Sequence, residues 1–439
     1  MKTNKTNLLF AFALSSIFLC KQSFSQEVLL LPDAIKLALD NNLQIKIAHN
    51  KRKMAEEKSS WGYAGYYPQL SLNGGYTGNV DDTELKFLNG ETLIRDNARS
   101  SGLNASLDFR YPLFDGFARL NTYNSFRESE AIENLHLKAS KEDVVKQVIA
   151  LYYKCSADEA LQYVLSEVLK VSVERLSIAD NKYKLGVFSK MDFLQARLDY
   201  YNDSIALLEQ EQHLYESRVM LNRWIGQKTD VIFKTSELPK EEEKMSLESL
   251  NQEAMQANTS LLLLNKNRSM GVLQLKNQQA SLYPQIDLLG NLNLRRAQTE
   301  AGFVQSTRNS GLLYGLSVSY PLFNGFQRQT DRNIAKIHIE NTELAISDAQ
   351  VQLEAELAVL HAQYSRKLQQ LKLIKLSYAI ASESMEVAKE SYRLGSISSL
   401  QFRDAQLKYN MAGFALIRAM YEITLAKNNM LYLSGNLAN

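Results

Sequence analysis

At 439 residues the chain has room for two or three ordinary domains, or for one internally duplicated unit. Charged residues make up 22% of it and the mean hydropathy is −0.27, which excludes a bundle of transmembrane helices. The 50 basic side chains against 48 acidic ones exclude the strongly basic surface that nucleic acid or a polybasic membrane contact requires.

Residues 1–25 have the layout of a signal peptide: Lys2 and Lys5, an apolar run from Leu8 to Leu19, and Ser23-Phe24-Ser25 as a small-x-small cleavage site before Gln26. The run is too short to span a bilayer permanently. Cys20 offers a rival reading, a lipid-anchored N-terminus, against which stands the bulky Leu19 before it. Cleavage after Ser25 leaves Cys155 as the single cysteine, so no internal disulfide is expected and stability must come from packing.

Apolar residues at three and four spacing predict a helix from Leu31 to about Gly65, ended by Pro68. The period then drops to two: Leu70, Leu72, Gly74 and Tyr76 alternate with Ser71, Asn73, Gly75 and Thr77. Past a polar stretch the alternation returns, with Leu103, Ala105, Leu107, Phe109 and Tyr111 on one face, so a β-hairpin is predicted over about 68–113. From about Ala118 to Leu185 there is neither proline nor glycine, enough for a helix of roughly 100 Å. A break at Gly186 starts a second helix, which runs to Trp224 and closes at Gly226. Residues 26–226 thus form one repeat with a tip near 186. Asp192 is expected to cap the returning helix.

Residues 227–246, with the acidic run Glu241 to Glu243, read as a connector. Residues 247–439 then repeat the order: a helix from Leu247 to about Leu282, a hairpin over about 284–322, a long helix from about Arg328 to Leu394, a tip near Gly395 and a last helix to Leu433. The duplication is written most plainly in one phrase, Tyr111-Pro112-Leu113-Phe114-Asp115-Gly116-Phe117, which returns as Tyr320-Pro321-Leu322-Phe323-Asn324-Gly325-Phe326, 209 residues on and identical at six of seven positions. Gly186/Gly395 and Gly226/Gly435 share that offset, whereas Pro68/Pro284 are 216 apart. The seven-residue difference therefore falls between the two prolines of each copy, most simply in the hairpin loop.

Leu357, Tyr364, Leu371, Tyr378, Met385 and Tyr392 recur at intervals of seven, which predicts left-handed supercoiled helix pairs. Subtracting 209 puts Val148, Cys155, Gln162, Leu169, Leu176 and Tyr183 in the matching seam, with Cys155 as a buried core thiol. Strands of about ten residues suit a tilted crossing of a bilayer. Four strands cannot close, however, and open edges in lipid leave backbone groups unpaired at several kcal/mol each, so the chain must oligomerise to finish a barrel. A soluble hairpin covering a helix would explain one such motif. It explains less well why the motif occurs twice, each time between long helices, in an exported chain.

On the paired phrases and on the helix breaks Tyr183-Lys184-Leu185-Gly186-Val187 and Tyr392-Arg393-Leu394-Gly395-Ser396, the chain resembles the TolC-like outer-membrane efflux proteins over nearly its whole mature length. The resemblance implies an α+β membrane protein of two tandem repeats, whose long coiled-coil helices form an α-barrel and whose four strands enter a trimeric, twelve-stranded transmembrane β-barrel. It implies residence in the outer membrane with the helical part in the periplasm, and as partners two further copies, outer-membrane lipid, a periplasmic adaptor (membrane fusion) protein and, through it, an inner-membrane transporter of the RND or ABC type. Leu185, Gly186, Val187, Leu394, Gly395 and Ser396 are then the adaptor-docking tips. Asp404 matches one position of the aspartate ring at the family's entrance, with Gln401 where a second acid would stand, which makes both candidates for the pore constriction. Pro112, Gly116, Pro321 and Gly325 would join barrel to tube.

Nothing in the chain spells out chemistry. The five histidines lack metal-ligand spacing, and there is no phosphate-binding glycine loop or nucleophile elbow. Helical carboxylates alternate with lysines and read as a solvated face. No enzyme, cofactor or metal is expected. The expected function is a passive exit duct of a multi-component efflux or secretion system, with Ser106, Asp108, Asn291, Asn293 and Ser317 lining the barrel and Leu107, Phe109, Leu292 and Tyr314 facing lipid. The alternative is an exported coiled-coil scaffold or adhesin without a pore.

Overall fold

The structure, a computed structural model, describes residues 28–239 and 244–437; the signal-peptide segment with Cys20 and the run Glu241 to Glu243 lie outside the described residues. The elements in chain order are β1 (Val28–Leu29), α1 (Leu31–Asn41), α2 (Leu43–Lys58), β2 (Gln69–Lys86), β3 (Thr92–Phe114), α3 (Ala118–Lys184), α4 (Lys190–Ile225), β4 (Lys234–Thr235), α5 (Leu247–Ala257), α6 (Thr259–Ala280), β5 (Gln285–Thr299), β6 (Ser306–Ser319), α7 (Gln327–Leu394) and α8 (Ser399–Leu433). They fall into two compact units. One holds the described residues up to Leu43, Lys141–Asn251 and those from Glu356 onward; the other holds Gln44–Ser140 and Gln252–Ala355.

The second unit carries one antiparallel sheet in the order β2-β3-β5-β6. Its register puts like with like. Leu72, Leu107, Leu292 and Leu312 lie in one row, and Leu70, Phe109, Gly290 and Tyr314 in another on the same face. The opposite face brings Asn73, Ser106, Asp108, Asn291 and Asn293 together, and the Asp108 carboxylate accepts from Asn73 at 2.7 Å, Ser106 at 2.8 Å and Asn291 at 2.5 Å. The apolar face is bare: Leu72, Leu312 and Tyr314 are all exposed. No helix among the described residues is long and apolar enough to cross a membrane.

In the first unit the seam expected from the heptads is present along α7: Leu357, Tyr364, Leu371, Met385 and Tyr392 are buried and Tyr378 is half-buried. The copy in α3 departs from it. Val148 and Cys155 are buried, but Gln162, Leu169 and Leu176 are only half-buried, Tyr183 is exposed, and the buried stripe moves to Val168, Ser172, Arg175 and Ala179. The segments flanking the helices also pack here. Strand β1 pairs parallel with β4, and the Tyr152 hydroxyl donates to the Leu29 carbonyl at 2.8 Å and accepts from the Ser236 amide at 2.9 Å.

Four expectations need correction. The helix predicted from Leu31 to about Gly65 breaks at Asn42, whose backbone is extended and whose side chain donates to the Trp224 carbonyl at 2.9 Å; helical order ends at Lys58. The helix predicted from Leu247 to about Leu282 breaks 216 residues later at Asn258, which caps α6 by accepting from the Leu261 amide at 3.1 Å. The strands are 18, 23, 15 and 14 residues long rather than about ten. The seven-residue offset is not in the loop either: five residues separate β2 from β3 and six separate β5 from β6, so the first hairpin is longer in its strands.

Met430 is fully buried among Tyr364, Leu371 and Ile423, where a truncated side chain leaves a cavity that the paired helices cannot collapse. Met430→Ala is expected to destabilise the protein by about 2–5 kcal/mol, read as a lowered midpoint in a circular-dichroism melt of the purified protein.

Candidate functional site: helix turns and sheet junction

The α3–α4 and α7–α8 turns are built alike. Gly186 and Gly395 have φ of 75° and 79°, a left-handed conformation that favours glycine. In the first turn the Gly186 amide donates to the Tyr183 carbonyl at 3.0 Å and the Val187 amide to Lys182 at 2.9 Å; in the second the Gly395 amide donates to Tyr392 at 3.0 Å and the Ser396 amide to Ser391 at 2.9 Å. A capping box then opens each returning helix. Ser189 and Asp192 exchange side-chain and backbone bonds, as do Ser398 and Gln401. Ser189 is the cap itself, and Asp192, expected to cap this helix, is its partner at the third helical position. With their backbones held this way, Leu185 (78% exposed), Val187 (67%) and Leu394 (78%) project into solvent, while the Ser396 hydroxyl turns back to the Ser391 carbonyl at 2.9 Å. The two turns are neighbours: Lys182 Nζ lies 4.8 Å from the Phe188 ring centroid and 5.7 Å from that of Tyr392.

The two constriction candidates have local partners. Gln401 Oε1 accepts from the Ser398 amide at 2.9 Å, and the exposed Asp404 carboxylate accepts from Lys408, one turn on, at 2.7 Å. Both line an open groove between α7 and α8 with Ser384 and Val387.

Close behind the turns is a buried ionic cluster that the sequence reading missed. Arg403 of α8 donates to both oxygens of Asp203 on α4, at 2.7 and 3.0 Å, and its Nε lies 3.7 Å from Asp199. Arg175 of α3 donates to Asp199, and Ser172 to Asp203. Gln406 accepts from Arg403 at 3.1 Å and donates to the Ser172 hydroxyl at 3.1 Å. Two cations and two anions balance. Burial works against the Arg403 charge, but the hydrogen bonds and charge of Asp203, with Asp199 beside it, more than offset this and hold its pKa above the ordinary value. The one sequence signal was spacing: Ser172 and Arg175 stand at 4-3-4 intervals with Val168 and Ala179, a core stripe with polar residues in it.

The repeated phrases are alike in backbone and unlike in surroundings. Gly116 and Gly325 both have φ of 66°, followed by Phe117 at 69° and Phe326 at 63°. Edge-to-face pairs Phe114–Phe117 and Phe323–Phe326 brace the two copies, with ring centroids 5.7 and 5.5 Å apart. Gly116 is buried. A methyl group there would fall 2.4 Å from the Ala280 carbonyl oxygen and 2.9 Å from Tyr283 Cβ, and the Phe114 ring meets the Tyr283 ring edge-on. Gly325 has nothing within 4 Å of the same point, and Leu322 (88%), Phe323 (74%) and Phe326 (68%) are bare. Pro112 does not end its strand: β3 runs to Phe114, with an irregularity between Pro112 and Phe114, whereas β6 stops at Ser319, before Pro321. The one differing position also acts differently. Asp115 binds Arg119 at 2.9 Å, while Arg328, the counterpart of Arg119, donates instead to the Pro321 carbonyl and, at 3.0 Å, to that of Ser281.

Among the described residues no group of three or more His, Cys, Asp or Glu side chains is placed to hold a metal ion. Cys155 is buried, and burial pushes its thiol up to about 12.

A family model described as outer membrane efflux protein matches residues 34–227 and 250–436. The chain is similar to the proteases secretion protein PrtF of Dickeya chrysanthemi, at 20% identity over 97% of this chain and 92% of that protein. It is also similar to the protein CyaE of Bordetella pertussis, at 22% identity over 76% of this chain and 69% of that one. Among solved structures it shares its fold with the CmeC outer membrane channel of Campylobacter jejuni, with a TM-score of 0.77 and 15% identity, covering 92% of this chain and 85% of that one.

The ionic cluster is expected to fail asymmetrically. Asp203→Ala strands the Arg403 guanidinium in the core and should cost about 3–5 kcal/mol in a denaturant titration, whereas Asp203→Ala with Arg403→Met removes both charges and should restore most of that loss. Because its raised pKa keeps the Cys155 thiol protonated near neutrality, iodoacetamide at pH 8 is expected to leave it unmodified in native protein and to alkylate it after denaturation, as read by peptide mass spectrometry.

Proposed function

The chain belongs to the outer membrane efflux protein family, and from that premise we propose that three copies of it close one exit duct. It is an outer-membrane channel with its helical part facing the periplasm, and it conducts passively, as ducts of this family do. The observation that carries the trimer is the sheet: four strands with one bare apolar face and two unpaired edges. Lipid covers the face but cannot satisfy the edges, so the strands must meet other strands. Three chains with four strands each give a twelve-stranded barrel, in which Leu107, Leu292 and Tyr314 face lipid and Ser106, Asp108, Asn291 and Asn293 line the water-filled interior. The long helices continue the duct as a tube.

Channels of this family work with a periplasmic adaptor and an inner-membrane pump, of RND or ABC type. The helix turns suit an adaptor: Leu185, Val187 and Leu394 are exposed apolar side chains on backbones fixed by hydrogen bonds, so little entropy is lost when a partner covers them. Asp404 with Lys408 beside it is a neutral pair, which supports only weak cation preference at the entrance. The similarity to a proteases secretion protein adds polypeptides to the cargoes such a duct would carry.

Purified protein reconstituted in planar bilayers is expected to form trimers with steady conductance and no nucleotide requirement; a trimer without conductance would instead support the scaffold. Leu107→Arg places a charge on the lipid face at about 2–4 kcal/mol per copy near mid-membrane, and should abolish insertion.

A further inference from the structure

One stripe of α8 changes character along its length. Leu416, Met420, Thr424 and Asn428 stand four residues apart, so they share a helix face, and that face runs from apolar to polar toward the C-terminus. All four line a cavity of about 470 Å³ within the first compact unit. Tyr153 of α3 and Leu371 of α7 supply further walls, as do Leu31 and Pro239 from the segments that flank the long helices. The volume is that of a small-molecule pocket, and the lining has the matching character, apolar walls with a few placed polar groups. Lys375 and Lys427 also belong to the lining, but both are already engaged, so a ligand need bring no charge to answer them.

Asn428 gives the cavity a preference. Its side chain is only 4% exposed. Its Nδ2 donates to the Lys146 carbonyl at 3.1 Å, and because a carbonyl can only accept, that bond fixes which way the amide faces. Oδ1 is then buried with no hydrogen-bond donor beside it among the described residues, a cost that an incoming donor would recover. Thr424 does not supply one, since its hydroxyl donates to the Met420 carbonyl at 2.9 Å. Water is a poor occupant, because a held water needs about two to four polar partners and the walls here are largely apolar.

We propose that this cavity binds an uncharged, apolar molecule of drug size that carries one hydroxyl or amine N–H, with its apolar body against Leu371, Leu416 and Met420 and its donor on Asn428 Oδ1. The site is complete within one chain and does not depend on the trimer proposed above. Because α3, α7 and α8 all contribute walls, one occupant touches three of the long helices at once.

Photolabelling with 4-(hydroxymethyl)benzophenone tests the site, since its two rings and single hydroxyl have the required chemistry and its excited ketone inserts readily into methionine side chains. In the detergent-solubilised protein, adducts on the tryptic peptide 419–427, which holds Met420, are expected to saturate with probe concentration. Adducts on Met411, a 69% exposed residue of the same helix, should instead rise in proportion to the probe. Diphenylmethanol should compete at about tenfold lower concentration than diphenylmethane, which lacks the hydroxyl. Labelling of 419–427 that does not saturate, or that neither competitor reduces, overturns the site, and equal competition by the two overturns the role of Asn428. Thr424→Trp fills the cavity and should bring labelling of 419–427 down to the Met411 level with the helical circular-dichroism signal unchanged; full labelling of that folded variant overturns the placement. The competitor pair, run on the unaltered chain, decides the matter even where the variant does not fold.

Discussion

The structure depends on the hydrogen-bonding capacity of two strand edges. Each of β2 and β6 offers one row of amides and carbonyls without a ladder partner, and these rows belong to a sheet whose bare leucine face calls for lipid. Water would satisfy the edges but not the face, and lipid the face but not the edges. Only more strands resolve the conflict, and in the proposed trimer further copies of the same chain supply them.

The helical unit meets a different demand. Helices as long as α3 and α7, 67 and 68 residues, gain their stability from side packing, since a helix standing alone in water has nothing to cover its apolar stripe. The seam along α7 is mostly apolar, with Leu357, Leu371 and Met385 between tyrosines. Near the turns the packing changes character, because Arg175, Asp199, Asp203 and Arg403 occupy core positions. An apolar seam tolerates sliding between similar registers. A bidentate guanidinium–carboxylate pair does not, so the helices are registered there by directional bonds.

Much of this was legible in the sequence because it is locally encoded. The switch of period from 3.6 to 2 marks where helix gives way to strand, and left-handed glycines at 186 and 395 mark where helices turn back. What was misread depends on partners distant in sequence. Strand lengths were underestimated, and the extra seven residues assigned to a loop, because a ladder extends as far as its neighbour does and alternation weakens in the polar ends of β2 and β3. Pro112 lacks an amide for the ladder, yet the paired β5 carries the strand past it. The ionic cluster was hidden by composition. Asp199, Asp203 and Arg403 look like the charges of a solvated face, and only the facing helices reveal that the two carboxylates are buried and the guanidinium largely covered.

That cluster also bears on the duplication. The positions that correspond to Arg175, Asp199 and Asp203 in the second repeat are Ser384, Lys408 and Ala412, and the position that corresponds to Arg403 in the first is Leu194. Arg175 and Asp199 both belong to the first repeat, but neither repeat holds both halves of the Arg403–Asp203 pairing. The Arg403–Asp203 bond therefore joins the two repeats, and neither repeat could make it with a second copy of itself.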